Sequence, residues 1–222
     1  MSLAQIVYGL GTLVAGGRLI RAGVRALGET AAPLGGREIA RVGDGSAGAP
    51  LMRTYEVHTL DERVAYIREM ARKGQTDPRV RQLALTTLTK KCGEKWCVAE
   101  KDYDAEVTAL FDFVRSQVRY THDILNVDTF TQPARTLTEF HAEDCDGLTA
   151  TLAALLMSVG YYCRFRVIRE VGADEWGHIF LIVAIPPGSQ EVRWVGLDAS
   201  VDQPAGWVPA PSVVAAYRDF EI

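Results

Sequence analysis

Three residues in this chain have the types and the order of a thiol triad. Cys145 stands between Asp144 and Asp146, where the polar stretch 143–147 gives way to the apolar run 148–159. His178 opens the apolar run 179–183, and Asp198 closes the run 194–197. A thiol that attacks a carbonyl, an imidazole that takes and returns the proton, and a carboxylate that holds the imidazole tautomer would complete an acyl-transfer site if the fold brings them together. Asp144 is placed to cap a helix in which Leu148, Leu152, Leu155, Leu156 and Val159 recur at helical spacing, with Gly160 as its stop. Cys145 then falls in the first turn, where unpaired N–H groups and the positive end of the dipole favour a thiolate. Two acidic neighbours oppose that by charge repulsion, so only an imidazolium partner together with the helix terminus can offset them. Each residue also has a plainer reading: a small buried helix cysteine, a histidine at a strand edge, a carboxylate in a turn.

The residues around the three extend the pattern. They are Gln132-Pro133 with Thr136-Leu137, Asp144-Cys145-Asp146, Ala153-Ala154-Leu155-Leu156 with Gly160, Arg164-Phe165, Gly177-His178 and Trp194-Val195-Gly196-Leu197-Asp198. In order and spacing, over residues 114–200, they resemble the transglutaminase-like (papain-like thiol) core domain. The form with Gln-Pro ahead of the cysteine also resembles proteins found among phage and prophage structural genes. Three positions depart from the family pattern: Glu143 replaces a usual Gly, Gly147 stands where an acidic residue is frequent, and Ala199 follows the third-site Asp where Pro is frequent. The resemblance implies an α+β fold, with a helical lobe and a catalytic helix packed on a mostly antiparallel sheet. It implies Cys145 as nucleophile, His178 as base and Asp198 as orienter. It needs no metal and no other cofactor. Gln132 is the candidate side-chain donor to the oxyanion, beside the backbone N–H of Cys145.

The rest of the chain must position those residues. At 222 residues it has room for one domain with a proper core plus an extension. A formal net charge of −4 with mixed signs gives no reason to expect nucleic acid. Four cysteines do not make a disulfide scaffold; Cys92 and Cys97 are close enough to pair, and a reduced compartment is equally compatible. Their spacing lacks a second pair, which argues against structural zinc.

Residues 1–28 repeat apolar positions every three or four, interrupted by Gly9, Gly11, Gly16, Gly17 and Gly23, with Arg18, Arg21 and Arg25 on one helical face. This predicts an amphipathic helix that docks on a protein partner or an assembly, with a membrane surface as the alternative. No positive charge precedes its apolar part, so it does not read as a secretory signal, and the expected location is cytoplasmic or virion-associated. Residues 29–53 are rich in Gly and Pro and read as a tether, with a short strand or clip at 37–42.

The catalytic domain is expected over 54–222. It begins with a short strand at 54–57. Three helices follow: one from Thr59 or Asp61 to Arg72, stopped by Gly74; one opened by Asp77-Pro78; and one over 103–118. The segment 92–97 is a loop or hairpin tip, and 120–137 is a long connection of the kind that lines sites. After the Cys145 helix, strands are expected at 162–171, 179–185 and 192–197, then a short helix at 212–217.

Function divides into three readings. The first is a thiol enzyme working through a thioester, most simply a peptidase or amidase on a protein or peptide, cell-wall peptide included; transfer of a glutamine acyl group to an amine would use the same thioester. The second is a virion or assembly structural protein that keeps the fold with little turnover. The third, a small-molecule N-acyltransferase, lacks a recognisable coenzyme-binding segment.

Overall fold

The helix that carries Cys145 is the centre of the molecule, and the reason lies in its composition. In the computed structural model, which describes residues 6–8, 19–22, 37–42, 52–123 and 128–222, this helix spans Cys145–Ser158 and every residue from Asp146 to Ser158 is buried. Sequence spacing predicts a single apolar stripe. The structure encloses the helix on all sides, because Ala150, Ala153 and Ala154 let neighbours approach the face between the leucines.

Four strands come first in chain order: β1 (Ile6–Tyr8), β2 (Leu19–Ala22), β3 (Arg37–Val42) and β4 (Met52–Val57). The described parts of residues 1–28 are therefore strand, and the expected amphipathic helix is not what they form. The remainder of that span, and most of the tether, lies outside the described residues. The clip at 37–42 is β3, paired antiparallel with β4.

Helix α1 (Leu60–Thr76) starts at Thr59, whose hydroxyl accepts from the Glu62 N–H while the Glu62 carboxylate accepts from the Thr59 N–H, a reciprocal cap. It does not stop at Gly74. A Cβ there would stand 2.6 Å from the Ala154 Cβ and 2.8 Å from the Pro133 Cγ, so the glycine serves close approach to the central helix. Helix α2 (Pro78–Leu88) is capped by Asp77, with proline in its first turn. A hairpin of β5 (Lys91–Cys92) and β6 (Lys95–Trp96) follows, closed by the Cys92–Cys97 disulfide. Helix α3 (Tyr103–Gln117) buries Val107, Leu110, Phe111 and Val114, the four residues its spacing predicts.

The connection to the central helix is more ordered than its sequence suggests. It holds β7 (Arg119–Tyr120), β8 (Asp128–Phe130), the short α4 (Pro133–Arg135), a π-turn over Thr136–Phe140 and β9 (Ala142–Glu143). His141 ends the π-turn at φ 54°, an exposed residue in the left-handed region. β7 and β9 pair in parallel, and β8 joins the sheet of β1–β4. The central helix is α5.

Beyond α5 come β10 (Cys163–Glu170), β11 (His178–Ile185), β12 (Arg193–Leu197) and β13 (Val214–Glu221). They form one antiparallel sheet in the order β12-β11-β10-β13. The short helix expected at 212–217 is instead a 3-10 turn over Pro211–Val213 leading into β13. Long-range pairing decides that segment: Arg166 sits opposite Asp219 and Arg164 opposite Glu221, each as an ion pair across the β10–β13 ladder. Ile179, Leu181, Val183 and Leu197 join the main core with α5, while Ile168, Phe180 and Ile182 cluster separately. The protein is an α+β fold with its helices around α5 and this antiparallel sheet packed on it. Among the described residues no helix is long and apolar enough to cross a membrane.

Candidate active site

Cys145 is the first residue of α5. Asp144 precedes it as N-cap, and its carboxylate accepts from the Gly147 N–H at 3.0 Å. The Cys145 thiol is partly buried and donates to Asp146 Oδ1 at 3.6 Å. Asp146 is itself buried and held from α1: Arg63 donates to its Oδ2 through Nε at 3.2 Å and Nη2 at 2.8 Å. Both donors converge on one oxygen, which leaves Oδ1 to the Cys145 thiol.

His178 and Asp198 come together at one end of the sheet. Leu181 pairs with Leu197, so Asp198 comes opposite Phe180, and His178 is one pleat further along the same face. His178 Nε2 donates to Asp198 Oδ2 at 2.6 Å. Asp198 Oδ1 accepts from the Ser200 hydroxyl at 2.6 Å and from its backbone N–H at 3.1 Å. Both oxygens of a buried carboxylate are thus used, which locks its orientation. Burial pulls the His178 pKa down, but the bonded Asp198 carboxylate outweighs it with help from Asp146 and Glu170, and the net shift is upward. Burial pushes Asp198 up, but the imidazole and Ser200 outweigh that, and its net shift is downward. Both shifts favour an imidazolium–carboxylate pair. With Nε2 committed to Asp198, Nδ1 is the ring nitrogen left to exchange a proton with a thiol.

His178 and Asp146 line one small cavity, together with Arg63, Trp176 and Ile179. The structure therefore joins His178 directly to Asp198, and brings His178 to the same cavity as the residue that follows Cys145. Gln132 is the N-cap residue of α4; its half-buried side-chain amide makes no hydrogen bond among the described residues. Asp144, Cys145 and Asp146 could each offer a metal one ligand atom, all within 4.8 Å of one another. Asp144 is already spent on the cap and Asp146 on Arg63, which leaves little for an ion.

Several groups at the site carry no local signal in the sequence. Arg63 lies 83 residues from Asp146. Tyr120 is pushed up to about 12 by burial and by the negative groups Cys145, Asp144, Asp123 and Asp146, which places its phenol within the field of the helix start. Glu143 is buried and pushed up to about 7, by loss of solvent against the hydrogen bonds of Thr136 and Thr131. Ser200 also went unnamed, although an Asp followed two residues later by Ser is a common local hydrogen-bonding turn that points to it. Cys163 is fully buried and burial pushes its thiol far up, the mark of an inert structural cysteine.

No family model and no curated protein matches this chain. Among solved structures it is similar to one described as a crystal structure of a TGase, at 12% identity and a TM-score of 0.35, with 82% of this chain and 50% of that one covered. The chain thus spans half the length of that structure.

Proposed function

We propose that this protein is a transglutaminase-like thiol enzyme that opens a peptide or amide bond through a thioester on Cys145. The observation that supports it best is the 2.6 Å contact between His178 Nε2 and Asp198, set beside a buried helix whose first residue is a cysteine. In this reading the thiolate adds to the carbonyl carbon, and the oxyanion is held by the Cys145 N–H and the Gln132 amide. The imidazolium gives its Nδ1 proton to the leaving amine as the C–N bond breaks, and a thioester remains. His178 then takes a proton from water, the hydroxide adds, and the thiol leaves with the proton returned. Hydrolysis of a protein or peptide is the activity proposed; an amine in place of water would give transfer.

The test is alkylation of Cys145 by iodoacetamide as a function of pH, mapped by peptide, in wild type and His178→Ala. Cys163 serves as the unreactive control. The proposal expects alkylation well below the ordinary thiol pKa of about 8.5, and a loss of at least about tenfold at pH 6.5 in the variant. A Cys145 that titrates as an ordinary thiol, unchanged by the variant, would remove the basis for the enzyme.

A further inference from the structure

Glu143 is a buried acid that neither the triad, the helix cap nor the Arg63 pair uses, and three segments meet on it. Glu143 ends β9 and is 4% exposed. Its backbone pairs with Tyr120, and its carbonyl accepts from the Thr121 N–H at 2.9 Å. Its side chain reaches the segment before α4 and the turn after it. Thr136 Oγ1 donates to Glu143 Oε1 at 2.8 Å, and Thr131 donates through both its hydroxyl and its backbone N–H. Thr131 and Thr136 bracket the turn that starts with Gln132 and Pro133. On its other side the carboxyl lies against the first turn of α5. A Cβ added to Gly147 would overlap the Glu143 carboxyl oxygen and stand 2.5 Å from its Cδ and 2.9 Å from its Cβ. Gly147 is thus the residue that gives Glu143 its seat.

We propose that Glu143 is a positioning residue, whose single carboxyl pins the Gln132 turn to the start of α5 so that the Gln132 amide and the Cys145 N–H address one oxyanion. This rests on the thiol acyl-transfer reading above. The physical need is plain. Two donors on different segments stabilise a transition state only if their separation is fixed beforehand, and an error of about 1 Å costs on the order of a hundredfold in rate. Local backbone bonds do not set that separation, since Gln132 and Cys145 belong to different elements. Glu143 is bonded to both threonines that flank Gln132 and packed on the helix turn that begins with Cys145.

The experiment compares two reactions of the same thiol. p-Nitrophenyl acetate acetylates Cys145 through a tetrahedral oxyanion: a C–S bond forms, the ester C–O bond breaks, and p-nitrophenolate leaves. Iodoacetamide alkylates the thiol by displacing iodide at a saturated carbon, with no oxyanion. Wild type, Glu143→Ala, Glu143→Gln, Thr136→Val and Gln132→Ala are measured against a Cys145→Ser background. Glu143→Ala and Thr136→Val are expected to slow acetylation at least about tenfold, as Gln132→Ala does, while alkylation stays within about threefold. Glu143→Gln keeps the acceptor oxygen for the threonines and is expected to restore acetylation. Equal slowing of both reactions, or no slowing, would overturn the proposal. Hydrogen exchange over residues 129–148 tests the pinning without turnover. It is expected to quicken in Glu143→Ala and return in Glu143→Gln, and no quickening overturns the proposal. A wild type inert to the ester, with that exchange pattern intact, would sink the enzyme reading and leave the pinning standing.

Discussion

Replacing Glu143 by Gln should change how stability depends on pH, and the structure supplies the size. The Glu143 carboxyl moves from 4.5 to about 7 on folding, chiefly because burial removes its solvent, with the negative Asp146 adding to the shift. The opposing groups are the Thr131 and Thr136 donors; Asp146 is itself paired with Arg63, and Asp144 with the Gly147 N–H. Between those two pH values the folded protein holds a proton that the unfolded chain has released. Stability therefore falls as pH rises through that window, by about 1.4 kcal/mol per unit, and is fully present only below the unfolded value. The shift corresponds to about 3 kcal/mol lost in wild type between pH 4.5 and pH 8. Glu143→Gln cannot lose it. Gln carries its own cost, since an NH2 replaces an acceptor oxygen, but that cost is the same at every pH. The measurement is urea unfolding of both proteins at pH 5, 6, 7 and 8, read as a difference so that all other titrating groups cancel. The gap should move in favour of the variant by about 2–3 kcal/mol from pH 5 to pH 8. A gap that moves by less than about 1 kcal/mol would mean that Glu143 is ionised in the folded protein, and the account of its burial would be wrong.

Three further perturbations bear on the same region. Gly147→Ala gains about 1 kcal/mol of helix propensity but meets the Glu143 carboxyl, so thermal or urea unfolding should show a net loss of about 1–3 kcal/mol; combining it with Glu143→Ala should recover part of that loss, and strict additivity would refute the contact. Asp146→Asn removes the charge that Arg63 pairs with at this site and a negative charge beside the thiol, so stability should fall by about 1–3 kcal/mol while the pH midpoint of Cys145 alkylation moves down. Asp198→Asn should lower the His178 pKa, as read by imidazole proton chemical shifts. Its stability penalty should be largest between pH 3.8 and pH 6.5, since the carboxylate's contribution vanishes as pH falls through its lowered value and the imidazole's as pH rises through its raised one.

What was legible in the sequence was what local chemistry fixes. Asp144 before a leucine repeat marks the start of α5, Asp77-Pro78 marks α2, and the apolar runs that follow His178 and Arg193 give β11 and β12 nearly to the residue. What was not legible depends on partners distant in the chain. Gly74 reads as a helix stop until Ala154 and Pro133 are seen against it. Residues 214–217 carry helix-forming alanines, and only β10 makes them a strand. Residues 120–137 show no period because their order comes from pairings with β9 and β1 and from Glu143, not from a repeating face. At the site, Asp198 and His178 could be named from the motif, but Arg63 could not, because nothing near position 63 points to an acid 83 residues later.

The start of α5 also resolves a difficulty that the sequence poses. Glu143, Asp144 and Asp146 crowd a thiol that the proposed reaction needs as a thiolate, and three full negative charges there would hold it protonated. The fold moderates each by a different means. Glu143 is half-protonated at about pH 7, because its carboxyl is buried between two threonines and a glycine. Asp144 spends its charge on the Gly147 N–H, as a cap. Asp146 is balanced by the Arg63 guanidinium. The Cys145 thiol shares the helix terminus with the Asp144 cap, where an anion gains about 0.3–1 kcal/mol from the dipole. That gain is small beside what an imidazolium supplies, so acid neighbours alone do not decide whether Cys145 is reactive. The decision passes to His178, whose protonated form Asp198 and Asp146 both favour. Asp146 thus opposes the thiolate and supports the imidazolium at once, and the downward alkylation midpoint expected of Asp146→Asn follows because the thiol is its direct neighbour.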